Sequence, residues 1–389
     1  MKKLLLCLAA LLLLALPALA DEAKDITADC AITVSGAGAD LPKLTDGDYA
    51  TYWSSSHRGY IEIASAGEKI CGLYVSWARF ITDWTVEALV DGEWQTVCAR
   101  VEENDYYNQY IPLTEGYDAV RLVCQAPDFD HVLNVSEVRV LGAGELPAWV
   151  QTWKTFEGKA DIVLLVTDPG DEYLFFGGLI PACVAEGREL MLCVVVNTDA
   201  VYKCQLLDGL WRCGLTNYPY IAYFKPNMAS TRNQQYEIWS EIQFVRHVTR
   251  IVRMYKPDVL VTHATDGEGI DGGHKVCADA AIRALSSAMD SQYDVGYGYA
   301  LWGNWQLKKL YLHLYGDDPT VLDYDQPLDF YGGKTAREVA QEAYALQGFQ
   351  RKRFPELTGE GVLDGSAFGL YFSSVGEDEA KNSLFEHLD

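Results

Sequence analysis

Two unbroken apolar runs, Ile162-Val163-Leu164-Leu165-Val166 and Leu190-Met191-Leu192-Cys193-Val194-Val195-Val196, constrain this chain more than any other feature. A strand that is apolar at every position must be covered on both faces, which a parallel sheet flanked by helices achieves. The intervening segments supply such helices. One is expected over 175–187, a second over 236–255 with Ile238, Ile242, Val245, Val248, Ile251 and Val252 on one face, and a third over 275–288. Asp258-Val259-Leu260-Val261-Thr262-His263 reads as a third buried strand. Residues 155–389 are therefore expected to form an α/β, Rossmann-like domain with a mostly parallel sheet.

The pattern upstream is different. Tyr60-Ile61-Glu62-Ile63, Trp84-Thr85-Val86-Glu87-Ala88-Leu89-Val90, Ala119-Val120-Arg121-Leu122-Val123 and Ser136-Glu137-Val138-Arg139-Val140 alternate apolar and polar residues, with turns such as Asp91-Gly92 between them. Short alternating strands without helical periodicity predict an all-β sandwich over 21–141. A Gly/Pro-containing linker, 142–154, joins the two parts, so the fold is multidomain.

The start of the chain fixes the expected compartment. Lys2 and Lys3 precede an apolar run from Leu4 to Leu16, and Ala18-Leu19-Ala20 is a small-residue cleavage site. This is the pattern of a signal peptide over 1–20, too short for a membrane span, and it predicts a secreted protein. Removal of Lys2 and Lys3 would carry the net charge from −24 to −26. So acidic a chain is a poor partner for nucleic acid or anionic membranes, both of which reward Lys and Arg. Ten cysteines, nine without Cys7, and no CxxC pair give no zinc-knuckle pattern and no assignable disulfide framework.

In open α/β sheets ligands bind beyond the carboxyl ends of the strands. Two polar clusters fall there: Thr167-Asp168-Pro169-Gly170-Asp171-Glu172 after the first strand, and Asp266-Gly267-Glu268-Gly269-Ile270-Asp271-Gly272-Gly273-His274 after the third. Carboxylates and an imidazole converging on one rim suit a divalent cation. Helix caps and solvated turns would use the same residue types.

The string Leu44-Thr45-Asp46-Gly47-Asp48-Tyr49-Ala50-Thr51-Tyr52-Trp53-Ser54-Ser55, with Glu137-Val138-Arg139-Val140 as a closing strand, resembles discoidin, or F5/8 type C, modules. That resemblance implies a carbohydrate-binding role for the sandwich and makes a carbohydrate or glycoconjugate the expected partner. From about Asp161 to the C-terminus the chain resembles the PIG-L/LmbE family of metal-dependent N-acetylglucosaminyl deacetylases. The carrying segments are the two rim clusters, Leu206-Leu207-Asp208-Gly209-Leu210-Trp211, 309–315, Gly332-Gly333-Lys334-Thr335-Ala336 and Phe368-Gly369-Leu370-Tyr371. The resemblance implies a zinc-type ion that lowers the pKa of a water and polarises an acetamide, with a carboxylate taking up the proton.

Carried over residue by residue, the resemblance implies metal ligands at Asp168, Asp171 and His274, with Glu172 retained beside them. Asp168 stands where the family has a histidine, which shifts the expected preference toward Mn²⁺, Mg²⁺ or Ca²⁺. The general-base position is Gly170 and the assisting histidine is Asp271. Tyr202 and Gln205 replace the family's Arg and Glu near the sugar, and Gln347 replaces a histidine while Gln350 is kept. If catalysis persists, Asp271 or Glu172 is the expected proton carrier. Two readings follow: a variant metal-dependent hydrolase of N-acetylated sugars, and a catalytically inactive homologue that binds glycans.

Further residues are candidates by their chemistry alone. His57 and Arg58, in a loop of the sandwich, are candidate substrate-binding residues. His263 is a candidate support for the metal ligands from outside the coordination sphere. Trp53, Trp302, Trp305 and Tyr311 read as core before sugar platform, His313 as a structural histidine, and Asp46 as a turn before a Ca²⁺ ligand.

Overall fold

The alternating third of the chain folds as two antiparallel sheets packed face to face. The computed structural model describes residues 21–388 other than 37, 80–81, 127–130, 227–228, 270 and 297–299. The expected signal peptide, 1–20, lies outside the described residues. The first sheet has the order β1-β3-β8-β5-β6, built from β1 (Cys30–Val34), β3 (Tyr60–Ser65), β5 (Trp84–Val90), β6 (Glu93–Ala99) and β8 (Ala119–Cys124). The second has the order β2-β9-β4-β7, from β2 (Trp53–Ser54), β4 (Ile70–Trp77), β7 (Asn108–Tyr117) and β9 (Asn134–Leu141). Trp53, Trp77, Trp84, Ile61, Val86 and Leu122 fill the space between them. Asp46 accepts hydrogen bonds from the Asp48 amide (3.0 Å) and the Thr51 hydroxyl (2.7 Å), so it organises a turn.

β4 was not legible as a strand because it does not alternate. All but one of its residues are buried. Its inner face meets the first sheet, and its outer face is covered by Val150 and Trp149 of the connecting segment, which pack on Tyr74. The expected linker 142–154 is therefore packed against the sandwich over part of its length.

The second part is an α/β layer with one seven-stranded sheet, order β12-β11-β10-β13-β14-β16-β15. β10 (Ile162–Val166), β11 (Leu190–Val196), β12 (Tyr220–Phe224), β13 (Val259–Thr262) and β14 (Lys309–His313) pair in parallel. β15 (Thr320–Val321) and β16 (Ala367–Ser373) close one side antiparallel. Helices α1 (Asp171–Leu174), α2 (Leu179–Ala185), α3 (Ala200–Arg212) and α8 (Ala336–Ala345) contribute to the core on one face. α4 (Arg232–Trp239), α5 (Glu241–Tyr255) and α6 (Gly272–Ser287) cover the other, and α7 (Ala300–Trp302) is a single turn. No described helix is long and apolar enough to cross a membrane.

Two expected helices are interrupted. Of the first, 175–187, only α2 (Leu179–Ala185) is helical, and α1 precedes it as a separate turn. The second breaks at Ser240, whose φ of 59° lies in the left-handed region, so α4 and α5 meet at an angle that one continuous periodicity cannot represent. Val245, Val248, Ile251 and Val252 are buried as expected, whereas Ile238 and Ile242 are exposed.

α3 faces the sandwich. Asp208 Oδ1 accepts from Tyr49 Oη (3.3 Å), Asn108 Nδ2 (3.1 Å) and Gln151 Nε2 (2.7 Å). The Lys203 ammonium donates to Tyr107 Oη at 3.1 Å, and Tyr218 Oη accepts from the Tyr107 amide at 3.2 Å. Burial, partly offset by these hydrogen bonds, pushes the Asp208 carboxyl up to about 6.

Candidate metal centre

The strand order reverses at β10 and β13, the place where an open α/β sheet leaves a crevice beyond its carboxyl ends. Each strand delivers one element of the site directly. β10 runs into the turn that presents Asp171 at the start of α1, and β13 is followed at once by His263. His274 comes from the first turn of α6, whose approach to β10 depends on Gly273. A Cβ there would stand 2.7 Å from Thr167 Cγ2.

Asp171, His263 and His274 each offer a ligand atom, and these atoms lie within 4.8 Å of one another. Asp171 Oδ2 is 3.3 Å from His274 Nε2 and 3.7 Å from His263 Nε2. All three residues are buried. The edge of the Phe175 ring lies against both imidazoles, and Phe176 meets His263, which makes the floor of the site apolar.

Glu268 organises the far side of the imidazoles. Its Oε2 pairs with His274 Nδ1 at 2.8 Å, while Oε1 pairs with His313 Nδ1 at 2.9 Å and accepts from the Ala264 amide at 2.9 Å. His263 Nδ1 lies 3.4 Å from the same Oε1 but makes no hydrogen bond among the described residues. His263 Nε2 accepts from the Thr167 amide at 3.2 Å, so that nitrogen carries a lone pair. Burial works against the Glu268 anion, yet the charges of His263 and His274 hold its carboxyl well below the usual range. Burial also works against a charged His274, but Asp171 and Glu268 raise it well above an ordinary imidazole. Burial and the neighbouring His274 charge depress His263.

These residues fit a divalent ion. Two imidazoles and one carboxylate, with the His274 ring oriented from behind by a buried glutamate, form a donor set and outer support typical of a metal site. The set differs from the expected Asp168, Asp171 and His274. Asp168 reaches Asp171 through its backbone amide, which donates to Asp171 Oδ2 at 2.8 Å, and its carboxylate does not join the close group. Burial, then the charges of Asp171 and Asp271, push the Asp168 carboxyl well up, with His274 opposing.

The expected proton carriers are otherwise engaged. Glu172 Oε2 accepts from the Gly170 amide (2.7 Å) and Oε1 from Gln347 Nε2 (3.0 Å). Burial raises its carboxyl to about 8, with the Gly170 contact opposing. Asp271 caps α6, accepting from the Gly273 amide at 2.6 Å. Gln350 Nε2 donates to Asp171 Oδ1 at 2.6 Å. Gly170 has a φ of 101°, and a Cβ there would meet Gln350 Cβ and Cγ at 3.0 Å, so the space of the missing side chain is taken up by Gln350.

The remaining candidates lie elsewhere or are structural. His57 and Arg58 occupy the turn between β2 and β3 of the sandwich, in a different module from Asp171. Trp53 is core, the Tyr311 hydroxyl is buried against Asp378, and Trp305 Nε1 donates to the Pro257 carbonyl at 2.7 Å. Tyr202 packs on Phe349, and Lys352 donates to its hydroxyl. Glu268 received no individual role from sequence, and its only local signal was an acid flanked by two glycines.

The chain matches no family model and no curated protein. Among solved structures it is similar to CpGH89CBM32-6 produced by Clostridium perfringens, at 17% identity and a TM-score of 0.27, covering 31% of this chain and 100% of that one. It is also similar to the family 32 CBM from C. perfringens NanJ in complex with galactose, at 13% identity and a TM-score of 0.26, covering 31% and 98%. A third is chitosan-binding module 1 from the chitosanase/glucanase of Paenibacillus sp. IK-5, at 20% identity and a TM-score of 0.26, covering 31% and 99%.

Proposed function

We propose that this chain is a secreted, PIG-L/LmbE-like metal-dependent hydrolase that removes N-acetyl groups from N-acetylated sugars, joined to a discoidin-like module that binds glycans. The observation that carries this reading is the convergence of Asp171, His263 and His274, with Glu268 behind the imidazoles, at the point where the parallel strand order reverses. The doubly wound order of the parallel strands supports a Rossmann-like α/β domain. With a second imidazole in place of one of the two expected carboxylates, the donor set favours zinc over the harder Mn²⁺, Mg²⁺ or Ca²⁺.

When bound, such an ion would polarise the acetamide carbonyl and acidify a water. Within the chain, Gln350 orients Asp171, Glu268 orients His274, and Phe175 and Phe176 keep water from the rings. Acetate release from N-acetylglucosamine derivatives by the mature protein, measured with added Zn²⁺, Mn²⁺ or Co²⁺, tests the reading. Metal-dependent release that His274→Ala abolishes is the expected result.

A second reading, a catalytically inactive glycan-binding homologue, is favoured by one observation: the general-base position is a glycine whose side-chain space Gln350 occupies. Glycan binding by the mature protein without metal-dependent acetate release would establish it.

A further inference from the structure

Five carboxylates surround the candidate centre, and their hydrogen bonds separate them. Asp171 Oδ1 is held by Gln350, and Oδ2 faces the imidazoles. Glu268 is committed to His274, His313 and the Ala264 amide. Both oxygens of Glu172 accept hydrogen bonds, and Asp271 is fixed as the cap of α6. Asp168 alone has a carboxylate that accepts no hydrogen bond among the described residues. It is also half-buried, whereas Asp171, Glu172 and Glu268 are closed off from solvent. Its own backbone amide donates to Asp171 Oδ2 at 2.8 Å, which puts the residue beside the centre.

We propose that Asp168 is the proton-accepting catalytic residue of this site, and that His263 takes the ligand place that Asp168 would otherwise fill. The assignment rests on the hydrolase reading above. A base must be open to solvent and must keep a free lone pair, and Asp168 meets both requirements. In the step, water adds to the acetamide carbonyl carbon and the Asp168 carboxylate takes one proton from it. The C–N bond then breaks, the nitrogen receives that proton, and the amino sugar leaves with acetic acid, which gives up its remaining proton to solvent as acetate.

The test uses the mature protein and its Asp168→Asn and His263→Ala variants. Co²⁺ binding is followed by visible absorption and Zn²⁺ affinity by calorimetry, alongside acetate release from N-acetylglucosamine. Expected are unchanged metal affinity and a roughly 10²–10⁴-fold loss of turnover in Asp168→Asn, with loss of metal binding in His263→Ala. If Asp168→Asn loses the metal, or keeps its turnover, the proposal is overturned. It is also overturned if the parent protein binds metal and releases no acetate. A parent that binds neither Zn²⁺ nor Co²⁺ overturns the hydrolase reading itself, a result distinct from the other outcomes.

Discussion

The imidazoles of His263 and His274 are stacked, with ring centroids 3.8 Å apart and planes within 7°. The two histidines arrive from different elements, lie parallel and both face the buried Asp171 carboxylate. A cation placed against Asp171 would use the edges that these rings already turn toward it.

Metal affinity should depend on Glu268 even though it would not touch the ion. Its carboxylate fixes His274 through Nδ1, and loss of such support weakens binding about 10–100-fold. Calorimetric titration of Zn²⁺ into Glu268→Gln is expected to show a fall of that size.

Gly170→Asp should not restore a base. The φ of 101° strains any side chain, and Gln350 leaves 3.0 Å for the new Cβ. A cost of about 1–3 kcal/mol is expected, read as a lower midpoint in thermal unfolding. Adding Gln350→Gly should relieve the contact and recover only part of the loss, since the backbone conformation is unchanged.

Asp208 should make stability pH-dependent. With its carboxyl raised to about 6, the folded protein holds the Asp208 proton more tightly than the unfolded chain. Its contribution is complete below about pH 4, is lost as pH rises through 6, and is flat above. Asp208→Asn should remove about 3 kcal/mol of that pH dependence and be the more stable protein at pH 7, as denaturant titrations at pH 4, 6 and 7.5 would register.

Arg253 is fully buried and donates to the carbonyls of Ser287, Ala288, Asp290 and Tyr293 at 2.7–3.2 Å, closing the end of α6. Lysine lacks the fork that reaches four acceptors. Arg253→Lys should cost about 3 kcal/mol or more in chemical denaturation, because buried carbonyls lose their partners.

Sequence carried the sheet and the helices that follow the period of the chain. Trp84–Val90, Ile162–Val166 and Leu190–Val196 are strands with the bounds their patterns imply. Where a face is buried against something distant, the pattern was silent. β4 lacks alternation because both its faces are covered, and Ser240 bends a helix without any glycine or proline to mark it. The rim clusters and the pairing of Asp171 with His274 were readable, since both follow from strand ends. The entry of His263 into that group was not, because its ring is held by the Thr167 amide at the end of the neighbouring strand. The commitment of Glu172 and Asp271 to backbone amides also depends on local geometry that spacing does not encode.

The grip of Tyr49, Asn108 and Gln151 on Asp208 has a consequence for reach. A module hung on a loose tether searches a volume, but one clamped to a helix can only point. Whatever the sandwich holds is therefore delivered to the second part of the chain at a set angle and distance.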